Sequence, residues 1–244
     1  MDELLYPLPR CTIAPVCRTQ PKKEKDRDPY DGLRHWSALT HGLGILLAIL
    51  GTALLLARSY DLGASIRYYV IFSLYGTTMI ELYTASTLYH SINTTVKDRI
   101  ALKKLDHISI YFLIAGTYTP ICLIALSGPL GWLLTGIIWT LALLGTVVSL
   151  VWIHSPRWVT VGIYLFMGWL AVFAIYPLSH VLALRGLFWL LLGGVLYTIG
   201  GILYALKWPG RSNPKFGCHE IFHVFILLGS LCHWLLMYRV VVFL

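Results

Sequence analysis

From Trp36 to its C-terminus the chain is built from apolar stretches separated by short polar connections. Each stretch is about 20 residues, enough to cross a hydrocarbon core roughly 30 Å thick as a helix. Inside lipid no water is available to backbone N–H and C=O groups, so stretches of this kind satisfy them internally by becoming helices. The composition, 57% hydrophobic and 12% charged, lies outside the range of ordinary soluble domains. The pattern predicts spans at 36–57, 68–89, 106–126, 131–153, 158–178, 187–206 and 219–241. The expected fold class is an all-α membrane protein, a seven-transmembrane helical bundle over residues 36–244. Residues 1–35 are expected to be a polar, disordered cytoplasmic tail without a signal-peptide pattern.

Loop charge predicts the orientation. Placing the N-terminus in the cytoplasm puts the basic residues of the tail, of the second and third spans' connection and of the sixth and seventh spans' connection inside. Only Arg58, Arg67, Arg185 and Arg239 then lie outside, so the positive-inside rule predicts a cytoplasmic N-terminus and an external C-terminus. The net charge of +8 is carried by residues at span ends and by the cluster Lys22, Lys23, Lys25 and Arg27. It therefore points to anionic lipid headgroups at the cytoplasmic face rather than to nucleic acid. The five cysteines (Cys11, Cys17, Cys122, Cys218, Cys232) are odd in number and scattered, which is no disulfide framework. Gly193, Gly194, Gly200 and Gly201 are read as a packing face of the sixth span. Thr117 to Pro120 predicts a kink in the third.

Polar groups inside a span are costly and usually face a bundle interior or a cavity. Here they cluster. The second span ends in Ser86-Thr-Leu-Tyr-His90, the third opens with Asp106-His107, and the seventh opens with His219-Glu-Ile-Phe-His223. Side chains at i and i+4 share a helix face, so Ser86 lies one turn from His90, and His219 one turn from His223. Three neutral imidazoles with one open position make a catalytic type of zinc site, with His90, His219 and His223 as the metal ligands. Asp106 is then placed as proton acceptor for a metal-activated water, with Ser86 orienting it.

Other assignments remain open on the sequence. Asp106 also fits an N-cap of the third helix. HEIFH matches H-E-x-x-H, in which Glu220 is the general base of a zinc protease. That reading leaves Ser86, His90 and Asp106 without a role. His41 lies on the same side of the membrane as the cluster, and His233 is about 15 Å beyond His223. Neither is expected to be a ligand. His107 points away from Asp106, Glu81 is a mid-span carboxylate suited to a proton relay, and His35, His154 and His180 fall in connections.

The motifs THGLG at 40–44, STLYH at 86–90, LDHISIYFLIAGTYTP at 105–120 and HEIFHVFILLGSLCH at 219–233 resemble the hemolysin III branch of the progestin and adipoQ receptor superfamily. The resemblance covers nearly the whole chain after the tail. It implies zinc ligands at His90, His219 and His223, with Asp106 and Ser86 beside them. It also implies a zinc amidohydrolase acting on ceramide-type lipids, whereas the branch itself is named for red-cell lysis. Three functions are therefore weighed: a zinc-dependent hydrolase of a lipid amide or ester, a non-enzymatic membrane sensor or cytolytic protein with structural zinc, and an intramembrane protease.

Overall fold

The computed structural model describes residues 33–210, 213 and 216–244, which are helical nearly throughout with no strand among them. The 1–35 tail assignment falls almost wholly outside these residues, as do Cys11 and Cys17; Cys122, Cys218 and Cys232 are buried free thiols. The helices are α1 (His35–Asp61), α2 (Ile66–Ser91), α3 (Val96–Pro120), α4 (Gly128–Val151), α5 (Arg157–Trp169), α6 (Ile175–Leu206) and α7 (Cys218–Arg239). A π-helical turn, Ile121–Leu126, continues α3, and a 3-10 turn, Leu170–Ala174, joins α5 to α6.

By length and composition, five helical stretches suit a membrane crossing: His35–Asp61, Val96–Leu126, Gly128–Val151, Arg157–Leu206 and Cys218–Phe243. Large apolar side chains such as Leu46, Leu47, Val147, Val151 and Leu184 point outward. In water they would form an aggregation-prone surface; against acyl chains they are solvated. One core lies among α1, α2, α6 and α7, where Leu55, Phe72, Leu82, Leu178, Leu236 and Met237 are buried together, and a second, around Tyr111, Ile138 and Met167, joins α3, α4 and α5.

The longest stretch does not run straight. Ala183 adopts φ 51°, ψ 178°, a left-handed conformation that costs an L-residue energy and breaks the helix at that point. The chain folds back there. Trp169 Nε1 donates to Thr198 Oγ1 at 3.0 Å, and a Cβ added at Gly201 would stand 3.1 Å from Val161. The break falls inside the expected 178–187 connection.

Three other local features shape the bundle. The third helix begins ten residues before the apolar segment, at Val96, and is capped by Thr95, whose Oγ1 accepts from the Asp98 N–H at 3.2 Å. Asp106 is therefore inside the helix and is not its cap. Hydropathy registers only the apolar part of a helix, and the basic turn VKDRIALKK carries α3 beyond it. At Pro120 the regular helix gives way to the π-helical turn, and Gly131 of α4 packs against the Cys122 carbonyl there, with no room for a Cβ. The four glycines of α6 serve different neighbours: Gly193 and Gly200 face His233 and Phe225 of α7, Gly201 faces α5, and Gly194 has open space beside it.

Candidate metal centre

Near the C-terminal end of α2 and the N-terminal end of α7 the three expected histidines meet. One ligating nitrogen from each of His90, His219 and His223 falls within 4.8 Å of the others. The Nε2 atoms of His90 and His219 face each other at 3.1 Å. Tetrahedral Zn–N bonds of about 2.0–2.1 Å set an N···N edge of about 3.3 Å, so this pair already stands near the spacing zinc needs. His90 and His223 are buried and His219 is half-buried.

One contact prepares a ring as a ligand. His223 Nδ1 donates to the Ser37 carbonyl of α1 at 3.3 Å, a contact that fixes the tautomer with Nε2 as the lone-pair nitrogen. His219 Nδ1 is buried without a hydrogen-bond partner. A group of imidazoles gathered at one buried point is a donor set suited to a transition metal.

His41, placed by the sequence on the same side as the cluster but not among its ligands, lies directly against one of them. Its ring stacks on His223 with centroids 3.7 Å apart and planes 10° from parallel, and it meets Tyr83 edge-on at 5.1 Å. Neither of its ring nitrogens is hydrogen-bonded. A single histidine in α1 carries no spacing signal, so only the helix packing reveals the contact.

Glu220 has a different task from the one H-E-x-x-H assigns. Oε1 accepts from Arg34 Nε at 2.6 Å and from Ser37 Oγ at 2.9 Å. Oε2 accepts from Arg34 Nη2 at 2.9 Å and from the Gly217 N–H at 2.8 Å. Both oxygens are thus committed to the start of α1 and the cap of α7, an arrangement that speaks against a general base at Glu220. Arg34 was read only as one positive charge of the tail; it is a structural residue.

Ser86 is buried one turn from His90, and its Oγ has no hydrogen-bond partner. Asp106 is half-buried on α3. Tyr204 meets the His219 ring edge-on at 5.4 Å. The nearby His107 contributes its carbonyl, which accepts from Tyr164 Oη at 3.0 Å. Glu81 is only half-buried on α2, less enclosed than a mid-span relay carboxylate was expected to be. His233 is buried against Gly193, with Nε2 3.3 Å from the Leu190 carbonyl.

Beside the histidines an apolar cavity of about 120 Å³ opens between α3, α5, α6 and α7. Ile114, Leu165, Leu191, Gly194 and Ile226 line it, and Phe222, whose ring neighbours that of His223 at 6.1 Å, closes the near end.

Apolar helices, a buried histidine cluster at one end and an apolar chamber beside it define a multi-pass membrane protein with a candidate metal centre. The chain belongs to the family described as haemolysin-III related, whose pattern it matches over residues 35–234. It is similar to Hemolysin-3 of Bacillus cereus, with 40% identity over 80% of this chain and 85% of that protein. It also resembles, more distantly, the human monocyte to macrophage differentiation factor, at 27% identity over 82% of each chain. The adiponectin receptor protein of Drosophila melanogaster is 27% identical over 82% of this chain and 50% of the receptor, which extends the kinship to the wider receptor superfamily.

Proposed function

We propose that this protein is a zinc-dependent intramembrane hydrolase that cleaves an amide or ester of a lipid. The observation that carries the reading is the convergence of His90, His219 and His223 from two helices beside an apolar chamber. Zinc bound there would supply Lewis-acid activation of water and of the scissile carbonyl near neutral pH. His223 is held for ligation by the Ser37 carbonyl. Asp106 Oδ takes the proton lost by the attacking water and returns it to the leaving group, and Ser86 Oγ orients the reacting groups by hydrogen bonding. The chamber, about 120 Å³, receives a short stretch of the acyl chain and excludes bulk water there.

The proposed topology has seven spans. It counts α2 as a span and takes the reversal at Ala183 as a connection between two spans, with the N-terminus and the histidines on the cytoplasmic side. The loop-charge asymmetry supports it.

The name of the Bacillus cereus relative favours a second reading, membrane lysis with zinc tying α2 to α7 as a structural clamp. A conducting pore needs a polar lining, and the exposed side chains along these helices are chiefly apolar. The deciding experiment reconstitutes zinc-loaded protein and measures both fatty-acid release from ceramide or acyl lipids and vesicle leakage, for wild type and Asp106→Ala. Release that Asp106→Ala abolishes supports hydrolysis. Leakage indifferent to Asp106→Ala, without release from any lipid, replaces hydrolysis with the lytic reading.

A further inference from the structure

Basic residues are scarce at the end of the bundle opposite the histidines, yet three of the four expected there converge. Arg58 in the last turn of α1, Arg185 just after the break at Ala183 and Arg239 at the end of α7 line one pocket of about 400 Å³ with Tyr238 and Phe243. At 1.5 Å per residue, Arg58 lies about 25 Å beyond His41 and Arg239 about 24 Å beyond His223, so the pocket is separate from the metal centre. No acidic side chain lines it, and none of the three arginines forms an ion pair with an acid among the described residues. Arg58 Nε is buried without a hydrogen-bond partner, and its guanidinium is held 5.0 Å over the Phe243 ring. Gathering like charges while burying a donor of one of them is unfavourable unless something anionic sits between them.

We propose that this pocket binds a phosphate-bearing anion, by position the headgroup of an anionic phospholipid. Guanidinium forks match pairs of phosphate oxygens, and three of them around one space neutralise more charge than a zwitterionic headgroup carries. The pocket lies at helix ends, where headgroups reside and where the amphipathic Tyr238 ring favours the interface. Highly exposed apolar neighbours, Leu184 beside Arg185 and Phe243 itself, offer surface for the attached acyl chains. Basic pockets between membrane helices select anionic lipids at the cytoplasmic side of membranes, and the same chemistry applies at this opposite face wherever its leaflet holds anionic lipid. The strained backbone at Ala183 gains a purpose here, since it reverses the chain where Arg185 joins the other two arginines.

The test uses the full chain, purified in detergent, and follows its melting midpoint and its retained lipid by native mass spectrometry. Phosphatidylglycerol, phosphatidylcholine and inorganic phosphate are added separately. Phosphatidylglycerol should raise the midpoint of wild type and remain bound. The triple variant Arg58→Gln, Arg185→Gln, Arg239→Gln should bind it at least tenfold more weakly, and each single variant should lose part of that. Arg67→Gln, which removes a charge at the same end but outside the pocket, should leave lipid binding intact; the single variants keep the test usable where the triple variant fails to fold. A shift with inorganic phosphate and none with lipid would keep the anion site and overturn the headgroup as its source. Equal effects of phosphatidylcholine and phosphatidylglycerol, equal loss in Arg67→Gln, or no difference between wild type and the arginine variants would overturn the proposal. None of these outcomes touches the metal centre, whose zinc content is read separately.

Discussion

Arg34 grips Glu220 with a fork of two hydrogen bonds at 2.6 and 2.9 Å, in a pair whose side chains are 7% and 1% exposed. The Arg34 backbone N–H also donates to the His90 carbonyl at 3.0 Å. One residue therefore ties the end of α2 to the beginning of α7, the two helices that bring the histidines together.

Breaking this pair by Glu220→Gln leaves the Arg34 charge buried without its partner, a change that typically costs about 3–5 kcal/mol. Because the clamp orients ligand-bearing helices, metal affinity should fall by about 10- to 100-fold as well. Thermal melting and chelator competition on the purified variant check both effects. If Glu220 were instead a general base, the variant would melt and bind zinc like wild type and lose only turnover.

Replacement of a ligand should act on the metal itself. Wild type purified without chelator is expected to carry about one zinc per chain, and His90→Ala or the pair His219→Ala, His223→Ala should carry almost none. Asp106→Ala and Ser86→Ala, which alter no ligand, should keep their zinc while losing hydrolysis. Metal content by mass spectrometry, measured beside lipid turnover, separates these classes. Zinc-free wild type would remove the basis for hydrolysis.

Much of this centre was legible because helix periodicity is local. His219 and His223 are four residues apart, so any helix there places them on one face, and Ser86 and His90 repeat the spacing. That His90 would meet the other two followed from loop charges placing both helix ends at one membrane surface. What was not legible depended on packing between distant elements. Arg34 looked like one more tail charge, and only α1's approach to α7 shows it paired with Glu220. His41 stacks on His223 for the same reason. The start of α3 was misjudged because its first ten residues form helix without being apolar, and hydropathy detects lipid contact rather than backbone hydrogen bonding.

The close approach of α3 to α2 predicts an intolerant position. A Cβ at Gly116 would overlap the Thr78 hydroxyl, and both residues are buried. Gly116→Ala should force the two helices apart and destabilise the protein by about 1–3 kcal/mol. A melting curve in detergent measures the loss. The Gly116→Ala, Thr78→Ser double variant, which removes the methyl on the facing side chain, should recover only part of it, because the hydroxyl makes the closest contact.

Gly194 tests the chamber. A Cβ there meets nothing within 4 Å, yet the residue lines the apolar cavity, so Gly194→Leu places its side chain into open volume rather than into a neighbour. Replacing a helical glycine also favours the helix by up to about 1 kcal/mol, so the variant should melt no lower than wild type and retain its zinc. If the acyl chain of the substrate lies in this cavity, the leucine competes with it. Hydrolysis of long-chain lipids should then fall by at least tenfold, mainly through a higher KM, while a short-chain analogue that ends before Gly194 is cleaved nearly as before. Unchanged kinetics on both substrates would place the acyl chain elsewhere and leave the cavity without a part in the reaction.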